Sequence, residues 1–290
     1  MNTGAQWQFL GSVPENYERY LVPSIFAPRA EELVEVAGVR PGQRVLDIAC
    51  GTGVVARTAA RRLGSGSNVT GLDLSAPMLA VARSAAAADG ATIEWREGSA
   101  LQLPFADQAF DVAFCQQGLQ FFPDRPAAMR EMYRVLAPGG KLVLSVWREI
   151  ELSPGFAVLA RALTTHVSPK AGALFKSGPF GLGTTEELLD LIADAGFKDI
   201  SIRASAKVLR FPSSDEFVLR YAPARRWPAQ LSMWTTTPRL RCLPRSPRGS
   251  SRMSRGKSWH SLSRVISSLQ VSPHAPDEAA ILSALATIRG

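Results

Sequence analysis

An apolar run that contains one acid leads directly into a glycine-rich turn at residues 45–53, whose sequence is VLDIACGTG. A continuous apolar run is typical of a buried parallel strand, and glycine lets the backbone turn sharply and approach a ligand closely. Residues 54–63 contain neither Gly nor Pro and are predicted to form a helix whose N-terminus faces that ligand. The segment therefore predicts a strand, a loop and a helix that together bind a nucleotide-type cofactor.

A second acid, Asp73, lies twenty residues after Gly53 and ends another strand-like run at residues 68–73. A carboxylate at the end of a strand can accept hydrogen bonds from both hydroxyls of a ribose. The same acid could instead cap the helix that is predicted to follow. The spacing from Gly53 favours the ribose, so that the two segments together predict a ribose-bearing cofactor.

The identity of that cofactor depends on the charge at Asp47. Gly51, Gly53 and Ala56 satisfy the loose dinucleotide pattern G-x-G-x-x-G/A, so an NAD(P)-dependent oxidoreductase is one alternative. An acid four residues before Gly51 has no task opposite a pyrophosphate, but it can meet the ammonium group of a methionine moiety. The sign of the charge therefore favours S-adenosylmethionine, bound either by an enzyme or by a protein that does not turn it over.

The elements that must position these acids are predicted along the first 221 residues. Further strands are predicted at 92–96, 110–114, 142–147, 199–203 and 206–211, and further helices at 126–136, 184–195 and 213–221. The segment 148–183 is rich in Pro and Gly and is predicted to be irregular. Because it follows the carboxyl end of the fifth strand, where open α/β sheets bind ligands, it is the predicted substrate segment.

In order and spacing, five segments together resemble the class I S-adenosylmethionine-dependent methyltransferases, and most closely the branch similar to the ubiquinone/menaquinone-biosynthesis C-methyltransferases. They are the D-x-A-C-G-T-G loop at 47–53, G-L-D at 71–73, E-G-x-A-x-x-L-P-F at 97–105, F-D-V-x-x-C at 110–115 and L-A-P-G-G at 136–140. The resemblance covers roughly residues 15–221. It implies methyl transfer from S-adenosylmethionine to oxygen or carbon of a small, partly apolar acceptor.

The expected fold is α/β: a three-layer, Rossmann-like arrangement with a seven-stranded, mostly parallel sheet whose last strand is antiparallel. An N-terminal helical cap is predicted at 1–40, the cofactor-binding domain at 41–221 and an irregular tail at 222–290. Tyr17 and Tyr20 lie in the cap at helical spacing with Leu21, Ile25 and Phe26, so each either closes over the cofactor or packs in the core.

The resemblance implies a role for each matching residue. Asp47, Ala49, Gly51 and Gly53 would line the methionine end, Asp73 would bind the ribose, and Leu74 and Met78 would touch the adenine. Ser99 departs from the family, whose members usually carry an acid there to accept a hydrogen bond from the adenine amino group; serine accepts one more weakly. The full predicted cofactor set is Asp47, Ala49, Gly51, Gly53, Asp73, Leu74, Met78, Ser99, Ala100, Leu101, Gln116 and Tyr20.

The acceptor site is less determined by the sequence. Gln117, Gln120 and Tyr17 are the predicted substrate contacts, although the glutamines could equally cap the loop after the fourth strand. His166 is the only histidine before the tail and is a candidate general base, with a solvent-exposed loop histidine as the alternative. No residues have metal-ligand spacing, so no metal is predicted.

Composition and cysteine usage bound the class of protein. Hydrophobic residues make up 46% and charged residues 20% of the chain, which is typical of a globular protein. No stretch predicts a transmembrane segment or a signal peptide. Cys50, Cys115 and Cys242 are odd in number and scattered, which favours a reducing cytoplasm. The expected partner is a small-molecule acceptor, with no specific nucleic acid; a homodimer is left open.

The net charge of +8 lies almost wholly in the tail. Residues 1–221 carry a net charge of −1, and residues 222–290 carry +9 in a context rich in Pro, Ser and Arg. Such a composition predicts a segment that does not order itself. It is either a basic arm for anionic partners or a stretch translated out of the ancestral reading frame, and the second is favoured because every motif and all seven predicted strands precede it.

Overall fold

The computed structural model describes residues 13–166, 168–182, 184–211 and 259–272. Its helices are α1 Val13–Asn16, a π-helical segment Tyr17–Phe26, α2 Ala27–Ala37, α3 Val54–Leu63, α4 Ala76–Ala88, α5 Arg125–Arg134, α6 Pro154–His166, α7 Pro169–Ser177 and α8 Thr185–Asp194. Its strands are β1 Arg44–Ile48, β2 Asn68–Asp73, β3 Glu94–Glu97, β4 Phe110–Gln116, β5 Leu136–Trp147, β6 Lys198–Phe211 and β7 Trp259–Ser272. Within these ranges the predicted N-terminal helices are present.

The strands form one sheet in the order β3-β2-β1-β4-β5-β7-β6. Strands β1 to β5 are parallel, with Leu46 of β1 opposite Thr70 of β2 and Ala113 of β4. Strand β7 runs antiparallel to both of its neighbours, β5 and β6. The prediction of a Rossmann-like fold with a mostly parallel sheet is confirmed.

Helices cover both faces of the sheet because successive side chains of each strand point to opposite sides. Val45, Val112 and Val143 belong to a core with residues of α2, α3 and α6. Their neighbours Leu46, Ala113 and Leu144 belong to a second core with residues of α5 and α8. The carboxyl ends of β1, β2 and β4 are thereby held rigidly at one edge, which is where the predicted site residues lie.

The structure contradicts the prediction that the segment 148–183 is irregular. This segment contains two helices, α6 and α7, joined at residues 167–168. Pro154 and Pro169 are the first residues of these helices, a position that tolerates proline. Gly172 is a packing position, since a Cβ there would collide with Oγ1 of Thr164 on α6. The residues that suggested breaks therefore begin the helices or allow them to approach.

The end of the sheet also differs from its prediction. Residues 199–203 and 206–211 are not two strands but one, β6, and shifts of pairing register at Lys198/Ser201 and Ile202/Ala204 accommodate its irregularity. The strand between β5 and β6 comes instead from 259–272, inside the tail that was predicted to be irregular. Pairing on both sides stabilises this strand through its backbone, which composition does not reveal. The predicted helix 213–221 lies outside the described residues.

None of the helices in the described ranges is long and apolar enough to cross a membrane.

Candidate cofactor site

The loop after β1 adopts backbone conformations that favour glycine. Ala49, Gly51 and Gly53 all have positive φ angles, of 54°, 56° and 80°. A Cβ on Gly53 would also collide with the indole of Trp95, and one on Gly71 would lie 2.6 Å from Cε3 of the same ring. Trp95 on β3 thus lies against the glycines of two neighbouring segments, and α3 begins directly after the turn at Gly53.

Asp73 at the end of β2 is joined to this loop. Its Oδ2 accepts a 2.7 Å hydrogen bond from the amide of Gly51, and its Oδ1 accepts one of 2.8 Å from the amide of Ser75. Burial raises the pKa of Asp73, and hydrogen bonds from the backbone amides of Ser75, Gly51 and Leu74 oppose that shift. Ionised carboxylate oxygens have about four acceptor positions in total, so the side chain retains capacity for further donors.

The helix-cap alternative for Asp73 is not realised. The N-cap of α4 is Ser75, whose Oγ accepts a 3.4 Å hydrogen bond from the amide of Met78. Asp73 therefore lies at the strand end, as the ribose assignment requires, and it accepts hydrogen bonds from backbone amides there. The ribose contact itself remains a prediction.

Asp47, at the carboxyl end of β1, is a buried acid. The residue is 1% exposed, and its Oδ2 accepts a 2.9 Å hydrogen bond from the amide of Ala56 in α3. Among the described residues, its Oδ1 has no hydrogen-bond partner, and neither has the buried hydroxyl of Thr52 in the adjacent loop. Burial raises the pKa of Asp47 to about 8, with the Ala56 amide opposing the shift and the charge of Asp73 adding to it. A cationic or hydrogen-bonding group placed there would relieve this cost.

The predicted adenine contacts lie at the ends of β2 and β3, which are paired at Asp73 and Glu97. Leu74 is 64% exposed, an unusual state for a large apolar side chain. Ser99 uses its Oγ to accept a 3.1 Å hydrogen bond from the amide of Leu101, and Ala100 and Leu101 pack towards the core on that side. Met78, in contrast, is 2% exposed and presents little surface to a ligand in this conformation.

The three glutamines at the end of β4 make different contacts. Gln116 donates a 3.2 Å hydrogen bond to the carbonyl of Phe26, and so joins β4 to the N-terminal helices. Gln117 donates to Oγ of Ser145 at 3.3 Å, and Gln120 donates to Oε1 of Gln117 at 3.0 Å. The Oε1 of Gln120 is buried and has no hydrogen-bond partner in the part of the chain that the structure describes. Gln117 and Gln120 therefore stabilise the loop after β4, and Oε1 of Gln120 can still accept a hydrogen bond.

The aromatic residues of the cap are placed differently from one another. Tyr17 stacks on Phe26 with ring centroids 4.9 Å apart and packs against the core, as the core-packing alternative expected. The guanidinium of Arg19 lies 5.2 Å from the ring of Tyr20. Contacts of either tyrosine with cofactor or acceptor remain predictions.

His166 is the last residue of α6 and not part of a loop, and its side chain lies outside what the structure describes. Cys50 and Cys115 are free and buried. Burial raises the pKa of Cys115 to about 12 and that of Cys50 well above its usual value, so both are neutral thiols packed in the interior. Across the described ranges, no group of three or more His, Cys, Asp and Glu side chains could hold a metal ion.

Two residues were missed by sequence reasoning. Thr52 lies between the two loop glycines, and its buried hydroxyl, which has no partner among the described residues, makes it a candidate ligand contact. Arg29 in α2 is fully buried against Trp147 at the end of β5. No sequence signal distinguishes it, because an arginine in an amphipathic helix is expected on the solvent face.

The site fits a ligand that carries an ammonium group, a ribose and a flat base. The unpartnered oxygens of Asp47 and Thr52 lie at the β1 loop, the carboxylate of Asp73 lies at the end of β2, and exposed Leu74 follows it. The polar oxygens, the carboxylate and the exposed apolar side chain therefore follow one another in the order in which the ammonium, ribose and base of such a ligand would extend across the strand ends.

Sequence comparison gives related proteins with named activities. The family described as "Methyltransferase domain" matches residues 46–144. The chain is 40% identical over 152 residues to a demethylmenaquinone methyltransferase of Thermus thermophilus, covering 51% of this chain and 66% of that protein. It is 35% identical over 178 residues to a demethylmenaquinone methyltransferase of Listeria welshimeri, covering 58% and 75%. It is 32% identical over 205 residues to the nocamycin O-methyltransferase of Saccharothrix syringae, covering 67% and 72%.

The share of each relative's length that this chain covers differs between the relatives. The chain covers 66% of the Thermus protein but 48% of a 2-phytyl-1,4-naphtoquinone methyltransferase of Synechococcus elongatus and 45% of an uncharacterized protein of Mycobacterium tuberculosis.

Solved structures share the fold. The YcgJ protein of Bacillus subtilis superposes with a TM-score of 0.56 at 18% identity, covering 86% of this chain and 99% of that one. A protein of Bacillus halodurans gives a TM-score of 0.55 at 19% identity, covering 85% and 99%.

Proposed function

The chain belongs to the class I S-adenosylmethionine-dependent methyltransferases, in the branch of the quinone-biosynthesis enzymes, and from this we propose that it transfers the methyl group of S-adenosylmethionine to oxygen or carbon of a small, partly apolar acceptor. The observation that carries the proposal is the buried, unpartnered Oδ1 of Asp47 beside the glycine loop. Burial disfavours the ionised form of this carboxyl, and the ammonium of the methionine moiety would supply the charge and the hydrogen-bond donor that stabilise it.

The same atom argues against the dinucleotide alternative. A pyrophosphate at this loop would bring neither the cation nor the hydrogen-bond donor that the ionised form of Asp47 lacks, and its negative charge would disfavour that form further. An NAD(P)-dependent oxidoreductase is therefore not the favoured function. A protein that binds S-adenosylmethionine without turnover keeps the same site and differs only at the acceptor side.

In the proposed reaction the chain's contribution is alignment, since S-adenosylmethionine when bound supplies a methyl group already activated on a sulfonium. Asp47 and Thr52 hold the methionine end, and Asp73 holds the ribose while fixing the loop through the amide of Gly51. Well-oriented reactants reach effective molarities on the order of 10⁵ to 10⁸ M, which is the advantage that a rigid loop provides.

The acceptor is proposed to be aromatic. Two relatives are named for demethylmenaquinone and for a naphthoquinone, and in this chain the carboxyl end of β5 is surrounded by aromatic rings. Trp147 contacts Phe156 and Phe180, with ring centroids 5.4 and 5.8 Å apart. Such rings suit a flat, partly apolar substrate.

Gln117, Gln120 and His166 are proposed to serve the acceptor. The free Oε1 of Gln120 can accept a hydrogen bond from an acceptor hydroxyl, and Gln117 holds Gln120 in place. His166 is the proposed base if the acceptor must lose a proton. An acceptor that is already ionised would not need it.

We also propose that the protein works in a reducing cytoplasm, which suits the free, buried thiols of Cys50 and Cys115. The proposed division of the chain keeps a helical cap at 1–40 and a cofactor-binding domain at 41–221, to which β7 adds a strand from the tail. Binding to nucleic acid is not expected of the neutral body of the chain, and a homodimer stays open.

Calorimetry with S-adenosylhomocysteine and with NAD⁺ tests the cofactor, and radiolabelled methyl transfer tests turnover. We expect saturable binding of S-adenosylhomocysteine, none of NAD⁺, and label transfer to at least one member of a panel of phenols, quinone precursors and hydroxylated polyketides. Binding without transfer to any acceptor would favour the non-catalytic protein. Binding of NAD⁺ alone would overturn the proposal.

A further inference from the structure

Arg29 is a buried cation without a hydrogen bond. The residue is 0% exposed, and none of the residues that the structure describes accepts a hydrogen bond from its Nε, Nη1 or Nη2. Buried polar groups are almost always satisfied, and a guanidinium carries five donors. Burial lowers the pKa of Arg29 to about 10, partly offset by the charge of Glu32, so the side chain is still protonated at neutral pH.

Nearby acidic residues do not pair with it. Glu32, one turn further along α2, instead accepts a 3.1 Å hydrogen bond from Oγ of Ser205 and lies 3.3 Å from Nζ of Lys207. The contact that the structure gives Arg29 is the face of Trp147, 5.1 Å from its guanidinium carbon. A cation stacked on one ring retains all its in-plane donors, and within the described ranges these donors have no acceptor.

Arg29 lies on the acceptor side of the site. Phe26, which precedes α2, accepts the hydrogen bond from Gln116 at the end of β4, and Trp147 is the last residue of β5. The cofactor residues, in contrast, follow β1 and β2. Ligands of open α/β sheets bind beyond the carboxyl ends of the strands. Arg29 therefore lies at the ligand-binding edge of the sheet, next to β5 and not next to the strands β1 and β2 that carry the cofactor residues.

The surroundings of Arg29 are aromatic. Trp147, Phe156, Phe175 and Phe180 form one cluster with centroid separations between 5.4 and 6.4 Å. One cation at the edge of an apolar, aromatic cluster is suited to a flat ring that carries an oxyanion. The ring would contact the aromatic side chains, and the oxyanion would accept two hydrogen bonds from the guanidinium.

We infer that Arg29 is the specificity-determining residue for the acceptor, and that it selects aromatic acceptors that carry a phenolate or carboxylate. This inference rests on the proposed methyltransferase function. Since Arg29 has no exposed area, the acceptor can reach it only when the side chains that cover it move aside.

The test compares Arg29→Met and Arg29→Lys with Arg161→Met, which changes an exposed arginine of α6. Calorimetry in saturating S-adenosylhomocysteine would measure binding of 1-hydroxy-2-naphthoate and of naphthalene. We expect the wild type and Arg161→Met to prefer the naphthoate at least tenfold. Arg29→Met should lose that preference and Arg29→Lys most of it, while the affinity for S-adenosylhomocysteine stays within about twofold in all variants.

Thermal unfolding separates this role from a structural one. Removal of an unpaired buried cation should leave the melting temperature of Arg29→Met unchanged or higher, whereas an arginine needed for packing would lower it and lower both ligand affinities together. Three outcomes would overturn the inference: retention of the naphthoate preference by Arg29→Met, absence of that preference from the wild type, or loss by Arg29→Met of thermal stability and of affinity for both ligands together. Failure of the wild type to bind S-adenosylhomocysteine would instead overturn the proposed function.

Discussion

The carboxylate of Asp73 and the amide of Gly51 are joined by a hydrogen bond of 2.7 Å between two segments that are far apart in sequence. One oxygen of the acid thus fixes the glycine loop, and the other is held by the amide of Ser75. The residue proposed to bind the ribose therefore also shapes the surface that meets the methionine end, and a substitution at Asp73 must affect both halves of the cofactor site.

Asp73→Ala should weaken binding of S-adenosylhomocysteine strongly. Each charge-assisted hydrogen bond to the ribose contributes about 1.5 to 3 kcal/mol, and the loop loses its support as well. Asp190→Ala, which removes an exposed acid of α8, is the matched control and should leave the dissociation constant unchanged. Equal affinities of Asp73→Ala and the control in calorimetry would refute the ribose assignment.

Ser99→Asp should tighten cofactor binding. A carboxylate can keep the hydrogen bond from the amide of Leu101 with one oxygen and offer the other to the adenine amino group, and an ionised acceptor is roughly twice as strong as a neutral one. We expect a gain of about threefold to tenfold in affinity. A tenfold loss in a folded variant would show that residue 99 does not face the adenine.

The affinity for S-adenosylhomocysteine should rise with pH between about 6 and 8. Burial raises the pKa of Asp47 to about 8, so the free protein must lose a proton before this carboxylate can pair with the ligand's ammonium; the limiting slope is tenfold per pH unit. Calorimetry in buffers of different ionisation enthalpy would measure the released proton. Asp47→Asn should bind weakly and without that proton release.

The stability of the free protein should change in the opposite direction. Because the folded state holds the proton on Asp47 at pH values where the unfolded state has lost it, its contribution to the free energy of unfolding is greatest below about pH 4 and falls as the pH rises to about 8. Urea unfolding of the wild type and Asp47→Asn should show a weaker decline across this range in the variant. Identical profiles would contradict the assigned pKa.

Glu18→Gln should loosen the N-terminal helices. Its carboxylate lies 2.6 Å from Nη2 of Arg57 on α3, and both side chains are largely buried. Loss of one partner from such a pair costs about 1 to 3 kcal/mol. Glu31→Gln is the control, because its pair with Arg61 is exposed and such pairs contribute about 0 to 1 kcal/mol. Limited proteolysis should cut near residues 17–26 faster in Glu18→Gln alone.

A chain that ends at residue 258 should be far less stable than one that ends at residue 272. The shorter chain lacks β7, which pairs with β5 on one side and β6 on the other. We expect the 1–258 chain to aggregate or to melt at a lower temperature, and the 1–272 chain to bind S-adenosylhomocysteine like the full protein. Equal melting temperatures would indicate that 259–272 contributes nothing to the sheet.

The sequence predicts the cofactor half of the molecule well, because its signals are local. Helix α3 begins and ends at the predicted residues, and strand β2 has its predicted bounds. Glycine-rich turns and buried strands follow from backbone sterics and apolar runs that can be seen within ten residues.

The rest depends on tertiary contacts that no short window contains. Gly172 looks like a helix breaker until the approach of Thr164 is seen. Arg29 looks like a surface residue until Trp147 covers it. The strand at 259–272 is inconspicuous within a tail rich in Ser and Arg, since its stability comes from two neighbours that are distant in the chain.

The position of β7 has a consequence for how the chain folds. Leu142 of β5 pairs with Val271, so closure of the sheet must wait for a contact between residues far apart in sequence, and contacts of this kind slow folding. During synthesis β5 is complete long before β7 leaves the ribosome. Until then the edge of β5 presents unpaired amides and carbonyls to any other nascent chain. The yield of soluble protein therefore depends on whether β7 pairs with β5 before another chain does. Slower initiation of translation would keep nascent chains further apart on the messenger and should raise that yield.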